Sequence, residues 1–295
     1  MTTLKNKQSA IAMAYGNHGI SADQLSNNLR PFPSTASRLL SLCNSADAPI
    51  HEVTELIECE PAIGIKLLAM ANSPLFGTSR EVASVSHAIV LLGYEAVIQL
   101  ALSIAAGPLF LSGNEEHLGF RIQLMRESLA CSTVCRLLAG IAYQASPSEA
   151  FFGGMMLDIG KLLLLDISPT AYVEILEQEP PSNMNTIESE VFGADHAELG
   201  GSCALQWGLP NSVIQAIKQH HQKPQENFVC LSRVAIAGNY FARKWCIGFP
   251  EADVLPKTDH SFENSLSSSS LHEIQVQAID AYKEVTMLLL PEGCD

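Results

Sequence analysis

Aromatic side chains make up only 6% of this 295-residue chain, so its core cannot be built mainly from rings. Leu, Ala, Ile and Val must fill it instead. Straight-chain and small residues lose little rotamer freedom in a helix, so this usage favours helices over a β-sandwich. Charged residues are also sparse, at 16% against 47% apolar, a balance that excludes a disordered chain. Positive charge is scarcest: 17 basic residues stand against 31 acidic ones, for a formal net charge of −14. No Lys/Arg-rich run offsets it, so neither a nucleic acid nor an anionic membrane is an expected partner. The eight cysteines include no CxxC pair. Cys131 and Cys135 lie one helical turn apart and read as two small apolar groups on a core face. The first residues lack the apolar core of a signal peptide. The apolar run 155–165 is interrupted by Asp158 and Lys161 and is too short to span a bilayer. A soluble, cytoplasmic protein is expected.

What is present is helical periodicity, almost from end to end, with strand alternation nearly absent. The pattern predicts an all-α fold. Pro31 and Pro33 precede a short helix, Pro61 suits a first helical turn, and Asn72-Ser73-Pro74 stops that helix. Gly93 separates helices expected over 84–92 and 94–105. A long helix is predicted over 118–143, an almost wholly apolar and therefore buried one over 147–165, and shorter ones over 169–178, 184–192, 195–207, 210–221 and 228–245. By domain, a helix is expected over 1–20 and the main domain over 21–250. A Ser-rich linker or loop follows over 251–270, then a C-terminal amphipathic helix within 271–295.

Few residues in this frame invite chemistry. His87 stands alone, with no carboxylate or thiol at helical spacing, and is read as an ordinary histidine. Asp158 sits inside an apolar helix, where a lone carboxylate is costly unless paired. Lys161, three residues on, lies on the same face and can pair with it. Asp195 is a good N-cap, with Glu198 in the capping-box position, which leaves His196 unexplained. His220 and His221 close a helix, where they complement its dipole when protonated and could also reach a metal.

Five segments occur in order: LLAMANSPLFG (67–77), AIVLLG (88–93), GGMMLDIGKLLL (153–164), DHAELG (195–200) and WGLPNSVIQAIKQHH (207–221). Together they resemble the HDOD family, a divergent branch of the HD superfamily of metal-dependent phosphohydrolases. The likeness runs from about Leu29 to about Phe241. It implies a multi-helix HD-domain-like bundle with an N-terminal helical subdomain. In the catalytic relatives a His-Asp pair, further histidines and a distal Asp bind one or two divalent metals. These metals generate a hydroxide and clamp a phosphate ester.

Position by position, the resemblance implies a damaged site. The upstream His corresponds to Glu127, and the His of the pair to Leu157, with its Asp kept as Asp158. A middle His is kept as His196 and a late one as His220 or His221. The final Asp would fall at Gly238-Asn239, where no carboxylate stands. The resemblance therefore implies no catalytic residue, no cofactor and no bound metal, with Asp158 and Lys161 as a structural pair in the old cavity. The alternative it leaves is one residual divalent metal on Glu127, Asp158, His196 and His220, since carboxylates suit hard cations. The expected role is a non-catalytic signalling module acting through a protein partner, its oligomeric state open. A divergent phosphohydrolase, or a nucleotide sensor using the old cavity, would be the alternatives.

Overall fold

Helices in this chain begin where short polar side chains can cap them. Asp195 Oδ1 accepts the Glu198 backbone N–H at 2.9 Å, Ser84 Oγ that of His87 at 3.2 Å, and Ser267 Oγ that of Ser270 at 3.1 Å. Ser146 caps the helix opened by Pro147. Each bond satisfies an amide that a helix start leaves open. At a helix end, Gly193 takes the left-handed conformation (φ 85°) and its N–H returns to the Ser189 carbonyl.

The computed structural model describes residues 19–20, 29–43, 50–72, 81–143, 145–178, 183–250 and 266–290. It contains α1 (Ser34–Cys43), α2 (Ile50–Glu58), α3 (Pro61–Ala71), α4 (Val85–Leu92), α5 (Tyr94–Leu111), α6 (Leu118–Leu138) and α7 (Pro147–Met156). These are followed by α8 (Ile159–Ile167), α9 (Pro169–Gln178), α10 (Met184–Phe192), α11 (His196–Gln206), α12 (Asn211–Gln219), α13 (Cys230–Lys244) and α14 (Ser268–Leu289). There is no strand among the described residues, and the fold is all-α.

Most boundaries fall where the periodicity puts them, but one expectation fails. The single helix predicted over 147–165 is two helices, broken at Leu157-Asp158. Asp158 stands at the N-cap of α8 (φ −96°, ψ 14°), yet its side chain makes no capping bond. Its carboxylate turns into the core, toward Lys161 and His196. The long helix over 118–143 holds to Leu138 and then widens into a π turn, Ala139–Tyr143. The helix expected over 1–20 lies almost wholly outside the described residues, as does most of the Ser-rich segment 251–270. Its last residues, 268–270, form the first turn of α14.

Helix α6 is the spine. It packs on α7, α13 and α14, while α5 joins it to the N-terminal subdomain α1–α4. The α5 helix is long and apolar enough to cross a membrane, but 72% of it is buried, as in the core helix of a globular fold. A second, smaller core gathers Leu164, Tyr172, Ile175, Val191 and Phe192 from α8 to α10. Burying each such aliphatic or aromatic side chain contributes roughly 1.5–3 kcal/mol. The chain ahead of α1 is tied to this half of the molecule. Arg30 makes a two-bond pair with Asp166 at 3.0 Å each, and its carbonyl accepts from Trp207 Nε1 at 2.9 Å. Asp166 also meets the buried guanidinium of Arg121.

Two glycines set how closely α8 and α11 cross. A β-carbon at Gly160 would overlap the His196 carbonyl, and one at Gly200 would lie 3.1 Å from the Gly160 nitrogen. With neither side chain present, the two helices touch backbone to backbone. That contact brings Asp158 and His196 within reach of one another.

Candidate functional site

The break before α8, the start of α11 and the end of α12 converge on one buried point. Asp158, His196, His220 and His221 each aim a donor atom into it, all within 4.8 Å of one another. His196 Nε2 lies 3.2 Å from Asp158 Oδ1 and 2.9 Å from His221 Nε2, and His220 Nε2 lies 3.7 Å from Asp158 Oδ1. Asp158, His196 and His220 are buried, and His221 is half-buried.

Hydrogen bonds outside the cluster orient two of the rings. His220 Nδ1 is 2.7 Å from the Ile217 carbonyl, which can only accept, so Nδ1 carries the proton. His196 Nδ1 is 2.5 Å from Glu188 Oε2 and donates in the same way. The Glu188 carboxylate also accepts the His196 backbone N–H at 2.8 Å, and Tyr172 Oη donates to its other oxygen at 2.7 Å. Both rings therefore present Nε2 to the interior.

The electrostatics follow from this packing. Burial opposes charge on His196, but Glu188 and Asp158 outweigh it and push its pKa up to about 9. Burial, with His220 and His196 alongside, holds His221 well below the usual imidazole range, and burial also lowers His220 against the pull of Asp158. Burial alone would raise Asp158, yet Lys161, His196 and His220 hold it well below the carboxylate range.

The residues present fit a single divalent ion. Neutral His220 offers a bare Nε2, and that atom and Asp158 Oδ1 are both buried without a hydrogen-bond partner. Lys161 Nζ already stands 3.1 Å from Asp158 Oδ1, whereas the bare Nε2 of His220, 3.7 Å from that oxygen, has no donor, and a cation between the two would satisfy it. Three imidazoles and one carboxylate form a nitrogen-rich set of the kind that zinc and its neighbours take, with ligand bonds of about 2.0–2.2 Å.

Lys161 and Glu127 stand to one side. Lys161 Nζ is 3.1 Å from Asp158 Oδ1 and 4.0 Å from Glu127 Oε2. Burial would lower the lysine, but Asp158 and Glu127 raise it instead, whereas burial raises Glu127 against Lys161 and Arg243. Of the positions named from the sequence, Asp158, His196, His220 and His221 converge, and Glu127 does not. Glu127 lies beyond the ammonium and is not among the converging donors, and His221 takes the fourth place. Leu157 is buried in the core. Asn239, where a distal carboxylate would stand, accepts from Arg243 Nε at 3.0 Å, and Cys131 Sγ lies 3.8 Å away. His87 is exposed and is not among the converging donors.

Sequence reasoning missed Glu188 and Tyr172. A signal for the former was there: Met184, Ile187, Val191 and Phe192 make an apolar stripe on α10, and Glu188 is the one acid inside it.

Comparison with known proteins agrees with this fold. A crystal structure of an HDOD domain protein of unknown function from Geobacter sulfurreducens superposes with a TM-score of 0.73 at 22% identity, covering 89% of this chain and 94% of that one. A Shewanella amazonensis SB2B protein provisionally named a phosphohydrolase gives 0.65 at 21% identity, over 90% of this chain and 98% of its own. At these identities the likeness is one of fold. An uncharacterized protein of Treponema pallidum (strain Nichols) is 26% identical over 228 residues, which is 73% of this chain and 43% of that protein. The chain therefore spans less than half the length of that relative. The family model of the HDOD domain matches residues 29–223, two-thirds of the chain and every element of the buried cluster. With the bundle and the cluster both in place, the chain belongs to the HDOD family.

Proposed function

We propose that this chain is a regulatory module that acts by binding another protein and does not turn over phosphate esters. The observation that carries this reading is the Lys161 ammonium, 3.1 Å from Asp158 and 4.0 Å from Glu127. A two-metal hydrolase needs a second divalent ion bridged from the first, held by further imidazoles and carboxylates. On that side of Asp158 the chain offers Leu157, Asn239, a fixed ammonium and a guanidinium. Among the described residues on that side, Glu127 alone remains to hold a second ion. Depth supports the same reading, because Asp158, Lys161, His196 and His220 are buried. The net charge of −14 fits a cytoplasmic protein partner better than a nucleic acid or a membrane.

A second reading, a phosphohydrolase working with one ion, draws on the convergent donors of Asp158, His196, His220 and His221. One experiment separates the two. The full chain, incubated with Zn2+, Mn2+ or Fe2+, is assayed for phosphate release from nucleotides and p-nitrophenyl phosphate, and used in parallel for affinity capture. The regulatory reading expects no turnover above that of Asp158→Ala and a specific protein partner. Turnover lost in Asp158→Ala would overturn it.

A further inference from the structure

Glu188 is a carboxylate with no exposure at all, and such a group is costly unless its oxygens are fully used. Oε2 accepts both the backbone N–H and the ring Nδ1–H of His196, and Oε1 accepts from Tyr172 Oη. Its one ion-pair partner among the described residues is His196. A neutral amide could satisfy the backbone N–H and the tyrosine equally well. What a carboxylate adds is charge on the outer nitrogen of a ring whose inner nitrogen faces Asp158 and His221. That is the carboxylate–histidine arrangement that fixes a ligand imidazole and raises its basicity. The Ile217 carbonyl does the orienting part of this for His220.

The inner distances suit one ion. Ligands about 2.0–2.1 Å from a tetrahedral centre stand roughly 3.3 Å apart. The separations His196–His221, His196–Asp158 and His220–Asp158, at 2.9, 3.2 and 3.7 Å, bracket that value, and all four donor atoms lie within 4.8 Å of one another.

We infer that Glu188, braced by Tyr172, is a positioning residue. It presents His196 Nε2 to a single zinc-like divalent ion shared by Asp158, His196, His220 and His221. This rests on the regulatory reading in one respect only: the ion serves as an input that ties α8, α10, α11 and α12 together, not as a hydrolytic centre. Lys161, beside Asp158, sets a ceiling on affinity by its charge.

The test is a zinc titration of the full chain after chelator treatment, by calorimetry against a competing chelator, with the visible spectrum of bound cobalt as a second readout. Wild type is expected to take one ion per chain. Glu188→Gln can accept from His196 through its carbonyl oxygen and donate to Tyr172 Oη through its amide but loses the charge, and its affinity is expected to fall about 10–100-fold, the usual effect of removing such an outer partner. Tyr172→Phe is expected to fall less, and Lys161→Met to bind more tightly than wild type. A merely structural Glu188 would lower the metal-free Tm and leave the affinity and the cobalt spectrum of the folded protein unchanged. That result overturns the inference, as does a stoichiometry of zero or two. Should Glu188→Gln not fold, wild-type affinity in Tyr172→Phe overturns it equally. Phosphate release measured on the zinc-loaded sample keeps the two claims apart. Binding with turnover sinks only the regulatory reading, and absence of binding sinks only this one.

Discussion

On one side of Asp158 stand three imidazoles, two of them with their outer nitrogens held by Glu188 and the Ile217 carbonyl. On the other stand the Lys161 ammonium, Glu127, Asn239 and the Arg243 guanidinium, which lies 4.2 Å from the Phe249 ring. The first side supplies lone pairs, and the second supplies its own positive charge. The cavity is therefore asymmetric. One half offers donors to a cation, and the other has a cation built into the chain. Buried carboxylates need positive partners, and a lysine at i+3 meets that need for Asp158 without any ligand.

The strongest way to break this comparison is to remove the anion that both halves share. Asp158→Ala leaves Lys161 charged and buried beside Glu127 alone, and is expected to cost about 3–5 kcal/mol of stability. Urea unfolding measures it, and the double variant with Lys161→Met should lose less than Asp158→Ala by itself. A double variant that loses the full sum would show that the two residues do not act as a pair.

Next in size is the crossing that brings the halves together. Gly160→Ala drives a methyl into the His196 carbonyl, so α8 and α11 must separate, at an expected cost of about 1–3 kcal/mol. The same change at the exposed Gly119, whose β-carbon would meet nothing, serves as the control.

The imidazole half alone should respond near neutral pH. His196 is raised from 6.5 to about 9, so the stability its charge contributes is fully present below 6.5 and lost as pH rises through about 9. His220 and His221 are lowered, so their contribution is present above 6.5 and is lost as pH falls below it. Metal-free protein should therefore show its highest Tm near neutrality, declining on both sides. Loss of the alkaline decline in Glu188→Gln would assign that arm to His196, and a flat profile in wild type would remove the electrostatic account.

The smallest effect is expected at Glu127. Glu127→Gln removes a charge 4.0 Å from Lys161 whose burial already disfavours ionisation, and should cost less stability than Asp158→Ala, by urea unfolding. A larger loss would mean that Glu127, rather than Asp158, is the main partner of the ammonium.

How much of this was readable from the chain depends on the range of each interaction. Asp195 with Glu198, and Asp158 with Lys161, are three residues apart, and helical geometry alone brings such residues to one face. Cys131 and Cys135, one turn apart on α6, are buried against α13 as small core groups. The break at Leu157-Asp158 was not readable, because the surrounding run is apolar throughout and periodicity carries no mark there. It exists because the Asp158 carboxylate turns away from its own helix start to meet groups on α11 and α12. The partnership of Glu188 with His196 spans the Gly193 turn, and that of Tyr172 with Glu188 spans two helices, so no spacing rule predicts either.

By itself, then, the sequence determined an all-α bundle, most of its helices, the Asp195 cap and the pairing of Asp158 with Lys161, since each depends on neighbours a turn or less away. Only the tertiary structure decided that His221 and not Glu127 joins Asp158, His196 and His220, and that Glu188 stands behind His196. Those choices are set by how closely α8 and α11 can approach over Gly160 and Gly200, a distance that no local pattern encodes.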